Sequence, residues 1–194
     1  SDNGDITLAN AYTVNPAGVI PPEVHNGLQA SVTLSRRWLN GARGVTLAGA
    51  YSSGMSGWSV NSAGDVNRDG WPDMLVGAHG VPSSGMGLAG ETYLIYGCSN
   101  GLPSLITLTN TWFNGTNGVV FGGGNQGDES GNSVSSAGDV NGDGYSDILI
   151  GAVTANPGGR REAGETYLVF GCSNGLPAWN KLTNTWFNGT NGVL

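Results

Sequence analysis

Apolar residues come in short bursts along this chain, rich in β-branched and aromatic side chains and closed by Gly, Asn, Asp or Pro. Such bursts read as strands rather than helices. They predict about four strands within residues 131–194, near 133–137, 147–152, 165–171 and 181–187, with equivalents 74 residues earlier. The first 23 residues break the pattern, because Pro21 and Pro22 fall where a central strand would stand and proline cannot donate to a ladder.

The bursts recur because the sequence does. Residues 57–120 align without a gap on 131–194, with 41 of 64 positions identical. Shared blocks include SAGDVN from Ser62 and Ser136, AGETYL from Ala89 and Ala163, and LTNTWFNGTNGV from Leu108 and Leu182. A fainter copy precedes them, in which Trp38, Asn40 and Gly41 match Trp112, Asn114 and Gly115. Self-similarity at a fixed period fixes the architecture before any single strand does. Four antiparallel strands per repeat is the plan of a propeller blade. The expected organisation is a divergent segment 1–23, a partial unit 24–56, a blade 57–130 and a second blade 131–194 that ends at the start of a further one. The fold class is therefore all-β, with tandem four-stranded blades. Propellers close with about four to eight blades, so other chains or repeats are expected to complete this one and to cover its sheet edges.

Charge narrows the function. Seven Lys and Arg face fourteen Asp and Glu in 194 residues, with no basic stripe, which argues against nucleic acid or an anionic membrane surface as partner. No apolar run nears the roughly 20 residues of a membrane span. No leader stands at Ser1, so any secretion signal is expected to have been removed or to lie elsewhere. The acidity is concentrated: six of the fourteen acids lie in DVNRDGWPD (Asp65 to Asp73) and DVNGDGYSD (Asp139 to Asp147). Oxygen donors recur at positions 1, 3, 5 and 9 of each loop. Asp65, Asn67, Asp69 and Asp73, with the carbonyl of Trp71, form one expected calcium site; Asp139, Asn141, Asp143 and Asp147, with the carbonyl of Tyr145, form the other. Two bound Ca2+ ions would bring the formal charge from −7 to −3 (−7 + 4). Many oxygens in irregular geometry favour calcium over magnesium, and the lack of Cys or His disfavours zinc. The loops are not EF-hands, since Val76 and Ile150 replace the Glu of position 12.

The chain resembles the FG-GAP repeat, the unit of the integrin α-subunit propeller. Tyr96-Gly97 and Phe170-Gly171 stand at the FG position, and Gly77-Ala78-His79 and Gly151-Ala152-Val153 at GAP, each directly after an acidic loop. The resemblance covers about residues 57–194. It implies a blade fold, structural calcium and an extracellular or cell-surface setting; it does not by itself imply integrin function. Some relatives carry the repeat beside phospholipase or polysaccharide lyase domains, chemistry that nothing in this sequence supplies.

Weaker signals remain. Asn114 and Asn188 open Asn-Gly-Thr acceptor sequences for glycosylation, and Asn-Gly is equally a type I′ hairpin pair. Cys98 and Cys172 occupy equivalent repeat positions, so two separate buried thiols are expected, with an intermolecular bridge as the alternative. Trp38, Trp112 and Trp186 recur and are expected between blades, whereas Trp58, Trp71 and Trp179 do not recur. His25 and His79 have no nucleophile signature beside them. The reading that follows is a non-enzymatic, extracellular, calcium-binding scaffold that associates with further copies or further blades. The alternative is part of a larger cell-surface propeller that grips a protein or glycan ligand. An enzyme site in the N-terminal segment is the third.

Overall fold

The computed structural model describes Leu39, Gly41 and residues 44–193 except Asn174 and Asn184. Residues 1–23, most of the partial unit 24–56, and with them His25 and Trp38 lie outside the described residues. The chain divides into two compact units, one of residues 47–102 and 106–194 and one of residues 1–46 and 103–105.

The described residues are all-β apart from two single 3-10 turns, Ser83–Gly85 and Pro157–Gly159. Their strands are β1 (Thr46–Gly49), β2 (Ser59–Gly64), β3 (Asp73–Ala78), β4 (Glu91–Ile95), β5 (Leu105–Leu108), β6 (Gly118–Gly122), β7 (Ser130–Gly138), β8 (Asp147–Ala152), β9 (Glu165–Val169), β10 (Trp179–Lys181) and β11 (Gly192–Val193). Each repeat lays down one four-stranded antiparallel meander, β2-β3-β4-β6 in the first and β7-β8-β9-β11 in the second. Strand β10 leaves its own repeat and pairs parallel with β6, setting Trp179 against Val120 and Lys181 against Gly122. β1 and β5 form a separate two-stranded pair.

Three of the four expected strands per repeat stand where the pattern put them; the fourth does not. Beyond Lys181 the chain turns, and the fourth strand of the second sheet is β11, which pairs with β9. Residues 192–193 thus close the second sheet's meander rather than opening a further blade. The aromatic pair that suggested a strand is used as a plug: Phe187 stacks on Tyr167 at 5.3 Å and Trp186 meets Phe121 edge-on at 6.3 Å. Phe113 stacks on Tyr93 at 5.3 Å in the same way.

The two sheets pack through one core, in which Leu75, Leu94, Val119 and Phe121 of the first meet Val134, Ile148, Ile150 and Tyr167 of the second. Strand β7 lies on the first sheet closely enough that a Cβ at Gly77 would collide with the Gly131 carbonyl oxygen. Gly131 itself has φ of 83°, a conformation that glycine adopts without penalty, at a register shift in the β7–β8 pairing between Ser130 and Ser133. Trp186 thus packs between sheets as expected.

Candidate metal loops

Each acidic loop is the connection between the first two strands of its sheet, and both fold alike because their side chains cap their own backbone. Asp65 Oδ1 and Oδ2 accept the amides of Asp69 and Gly70 at 3.0 and 2.9 Å. Asn67 Oδ1 accepts the same Asp69 amide at 3.1 Å, and Asp69 Oδ1 accepts that of Trp71 at 2.9 Å. In the second loop Asp139 accepts Asp143 and Gly144 at 3.0 and 2.9 Å and, with no counterpart in the first loop, Gly142 at 2.8 Å; Asn141 accepts Asp143 at 3.1 Å, and Asp143 accepts Tyr145 at 3.0 Å. Asp and Asn favour such side-chain-to-backbone turns. Gly70 and Gly144, both at φ 89°, let the chain reverse between donors.

The ninth-position acids are of a different kind. Asp73 and Asp147 are buried, at 1% and 0% exposure, below the exposed turn. Asp73 takes the amides of Val66 at 2.8 Å and Gly97 at 2.9 Å; Asp147 takes those of Val140 at 2.8 Å and Gly171 at 3.0 Å. Each thereby ties its loop to the segment after the third strand, so closely that a Cβ at Gly97 would collide with the Pro72 carbonyl oxygen and one at Gly171 with that of Ser146, which accounts for the FG-position glycine. Burial pushes the Asp73 carboxyl up to about 6, against the pull of its two amide donors.

The structure thus brings Asp65, Asn67 and Asp69 into one turn with Asp73 beneath it, and repeats this for Asp139, Asn141, Asp143 and Asp147. No three His, Cys, Asp or Glu side chains are gathered into a ready metal cluster among the described residues. By donor type the loops fit a hard cation. A carboxylate oxygen that accepts one amide keeps a second lone pair, and the carbonyls of Trp71 and Tyr145 accept no hydrogen bond among the described residues.

The two loops also touch, which the sequence reading did not anticipate. The Asp65 amide donates to Ser146 Oγ at 3.1 Å, the Ser146 amide donates to the Asp65 carbonyl at 3.1 Å, and Arg68 lies 5.6 Å over the Tyr145 ring. A signal for it existed, because Arg68, Trp71 and Pro72 are the only positions at which the first loop differs from the second, which has Gly142, Tyr145 and Ser146.

The weaker candidates separate. Asn114 and Asn188 are exposed, and each Oδ1 accepts two following amides, those of Thr116 and Asn117 at 2.9 and 3.0 Å and those of Thr190 and Asn191 at 2.9 and 3.2 Å. Only the glycine of each Asn-Gly pair has positive φ, 83° in both, so these are side-chain-closed turns and not type I′ hairpins. Cys98 is an exposed thiol on a turn, not a buried one, while Cys172 is partly buried. His79 lies 3.9 Å from Glu129 and edge-on to Trp58 at 4.8 Å.

Comparison with known proteins picks out the same two repeats. The family described as "FG-GAP repeat" matches residues 56–95 and 130–169, each span holding the first three strands of a sheet and its acidic loop. The chain carries two FG-GAP repeats. It is 33% identical over 119 residues to phosphatidylinositol-glycan-specific phospholipase D of Bos taurus, covering 61% of this chain and 14% of that protein. The Mus musculus protein of the same name matches at 33% over 119 residues and 13% of its length. Integrin alpha pat-2 of Caenorhabditis elegans is 34% identical over 108 residues, 56% of this chain and 8% of that protein. The FG-GAP repeats are propeller blades, and this chain spans a small part of each relative. No helix among the described residues is long and apolar enough to cross a membrane.

Proposed function

We propose that the chain is a calcium-stabilised, non-catalytic scaffold of the extracellular space or cell surface, which associates through its propeller-type sheets with further copies of itself. The observation that carries the reading is the pair of acidic loops, closed by the same set of side-chain-to-backbone bonds apart from one extra amide, that of Gly142, on Asp139, and joined to each other, each offering Asp, Asn and carbonyl oxygens to a hard cation. The extracellular setting rests on the likeness to integrin alpha, and the absence of a catalytic role on the scaffold use of the FG-GAP repeat. In the phospholipase D relatives the similarity reaches only 13–14% of the protein.

Calorimetric titration of the metal-free chain with calcium tests it. Two sites per chain, with magnesium binding far more weakly, are expected; no heat of binding at millimolar calcium overturns the calcium reading. Light scattering of the same sample tests association separately.

A second reading, a ligand-binding blade pair, draws on exposed aromatics: Trp58 is 61% and Trp71 45% accessible. Both belong to the first repeat alone. Glycan-array binding that is lost on Trp71→Ala would favour it.

A further inference from the structure

The two sheets are built alike, yet one face of each differs in its cover. On the first sheet, the segment leading into β7 runs beside residues 88–89: the Glu129 and Ser130 amides donate to the carbonyls of Leu88 and Ala89, both at 3.0 Å. Ser59 Oγ donates to the Gly131 carbonyl at 2.8 Å. Glu91 lies beneath, 1% exposed. On the second sheet the equivalent positions border a cleft of about 380 Å³, lined by Ser133, Gly151, Val153, Ala163, Gly164 and Glu165. Residue for residue these are the counterparts of Ser59, Gly77, His79, Ala89, Gly90 and Glu91.

We propose that this cleft is a docking site for a second copy of this chain, which inserts its segment 55–60 head to tail, as residues 129–134 lie on the first sheet. The inference rests on the self-associating reading above and names its contact surface.

Both halves are already shaped for the contact. Met55, the counterpart of Glu129, has φ of 54° against 52°, and Gly57, the counterpart of Gly131, has φ of 86° against 83°. On the receiving side Glu162 has φ of 51°, as its counterpart Leu88 has 53°. The amides of Met55 and Ser56 donate no hydrogen bond among the described residues, and the carbonyls of Glu162 and Ala163 accept none. Those four groups are the counterparts of the donors and acceptors paired on the first sheet. Val60 is 65% exposed, where its counterpart Val134 is 8% exposed against the first sheet.

The side chains select the partner. Inside the chain Glu129 faces His79. At the open cleft the receiving position is Val153, 53% exposed, and the inserting position is Met55, 51% exposed, so a polar pair is exchanged for an apolar one on both sides together. A second copy of the second repeat would place Glu129 on Val153 and leave its charge unmatched. The loop end of the contact is poorer than its internal model, since Pro72 stands where Ser146 supplies an amide and a hydroxyl. Association is accordingly expected to be weaker and reversible. A head-to-tail contact of this kind propagates into a ring or a filament.

Light scattering and sedimentation of the full chain in millimolar calcium test this, with Met55→Glu and Val153→Lys as variants. Both positions are exposed, so neither change disturbs the core, and circular dichroism checks the fold. Wild-type mass is expected to rise with concentration, and each variant to weaken association by about tenfold or more. An equimolar mixture of the two is expected to regain it, since the carboxylate introduced on one variant then meets the ammonium introduced on the other and the remaining contact is wild type. Association that neither variant weakens overturns this contact while leaving self-association standing. A wild-type monomer at all concentrations overturns both.

Discussion

Asp73 and Asp147 each hold two backbone amides from segments far apart in sequence, and that sets them apart from the exposed acids above them. Replacing Asp147 by Asn keeps one acceptor oxygen and leaves one buried amide without its partner, a loss of about 1–3 kcal/mol. The exposed Asp143→Asn should change metal-free stability by less than about 0.5 kcal/mol while weakening calcium binding. Urea unfolding of the two variants in chelator checks the contrast, and equal losses would contradict it. A further buried acid, Glu91, gives a pH signature. Desolvation raises its carboxyl above the ordinary value of 4.5, partly offset by the Tyr93 hydroxyl that donates to it at 2.7 Å. A raised folded value means that the contribution is fully present below pH 4.5 and is lost as pH climbs through the folded value. Glu91→Gln keeps an acceptor for Tyr93 and removes the charge. Its stability relative to wild type should therefore rise with pH from about 4 to 8, read from denaturant midpoints across that range.

At the scale of strands, the repeats act as controls for each other. A Cβ at Gly77 would strike the Gly131 carbonyl oxygen, a backbone atom with no freedom to yield, whereas a Cβ at Gly151 meets chiefly the rotatable side chain of Ser133. Gly77→Ala is expected to cost about 1–3 kcal/mol and Gly151→Ala clearly less, by thermal or urea unfolding. Equal costs would mean that β7 does not press on β3 as described. The same comparison explains what was legible beforehand. Asp147–Ala152 was readable to the residue because its apolar run is bounded by an acidic loop and a Gly-Ala pair. The fourth strand was not: Gly118–Gly122 and Gly192–Val193 follow an Asn-Gly-Thr-Asn turn, while the preceding Trp-Phe pair has the stronger apolar signal and serves to cap Tyr93 and Tyr167. Apolar character marks burial, and only pairing decides which buried residue is in a strand. The parallel addition of β10 to β6 is likewise a tertiary event with no local sequence signal. At the loops, donor types and spacing were legible; the division of labour between exposed and buried acids was not, because it depends on which backbone amides the fold delivers.

For the whole molecule, charge and loop placement converge on one expectation about stability. The chain carries a formal charge of −7, and the two loops that hold six of its acids lie side by side. Arg68, stacked over Tyr145, is the one basic residue in either loop, so in chelator the pair of loops is a concentrated negative patch that a compact fold must hold together. Calcium bound only to the folded form would add about 2.7 kcal/mol per site at a hundredfold excess over its dissociation constant. For two sites and a domain of this size that corresponds to a rise in melting temperature of roughly 10–20 °C. Screening alone would also raise it, but sodium chloride at matched ionic strength acts on the patch without filling it, and magnesium fits poorly into irregular oxygen shells. The expected order of melting temperatures is therefore calcium well above magnesium, and magnesium close to sodium. Asp139→Asn should remove about half of the calcium-specific rise and leave the sodium response nearly unchanged. A calcium curve that coincides with the sodium curve would mean that the loops are self-capped turns whose carboxylates serve the backbone alone.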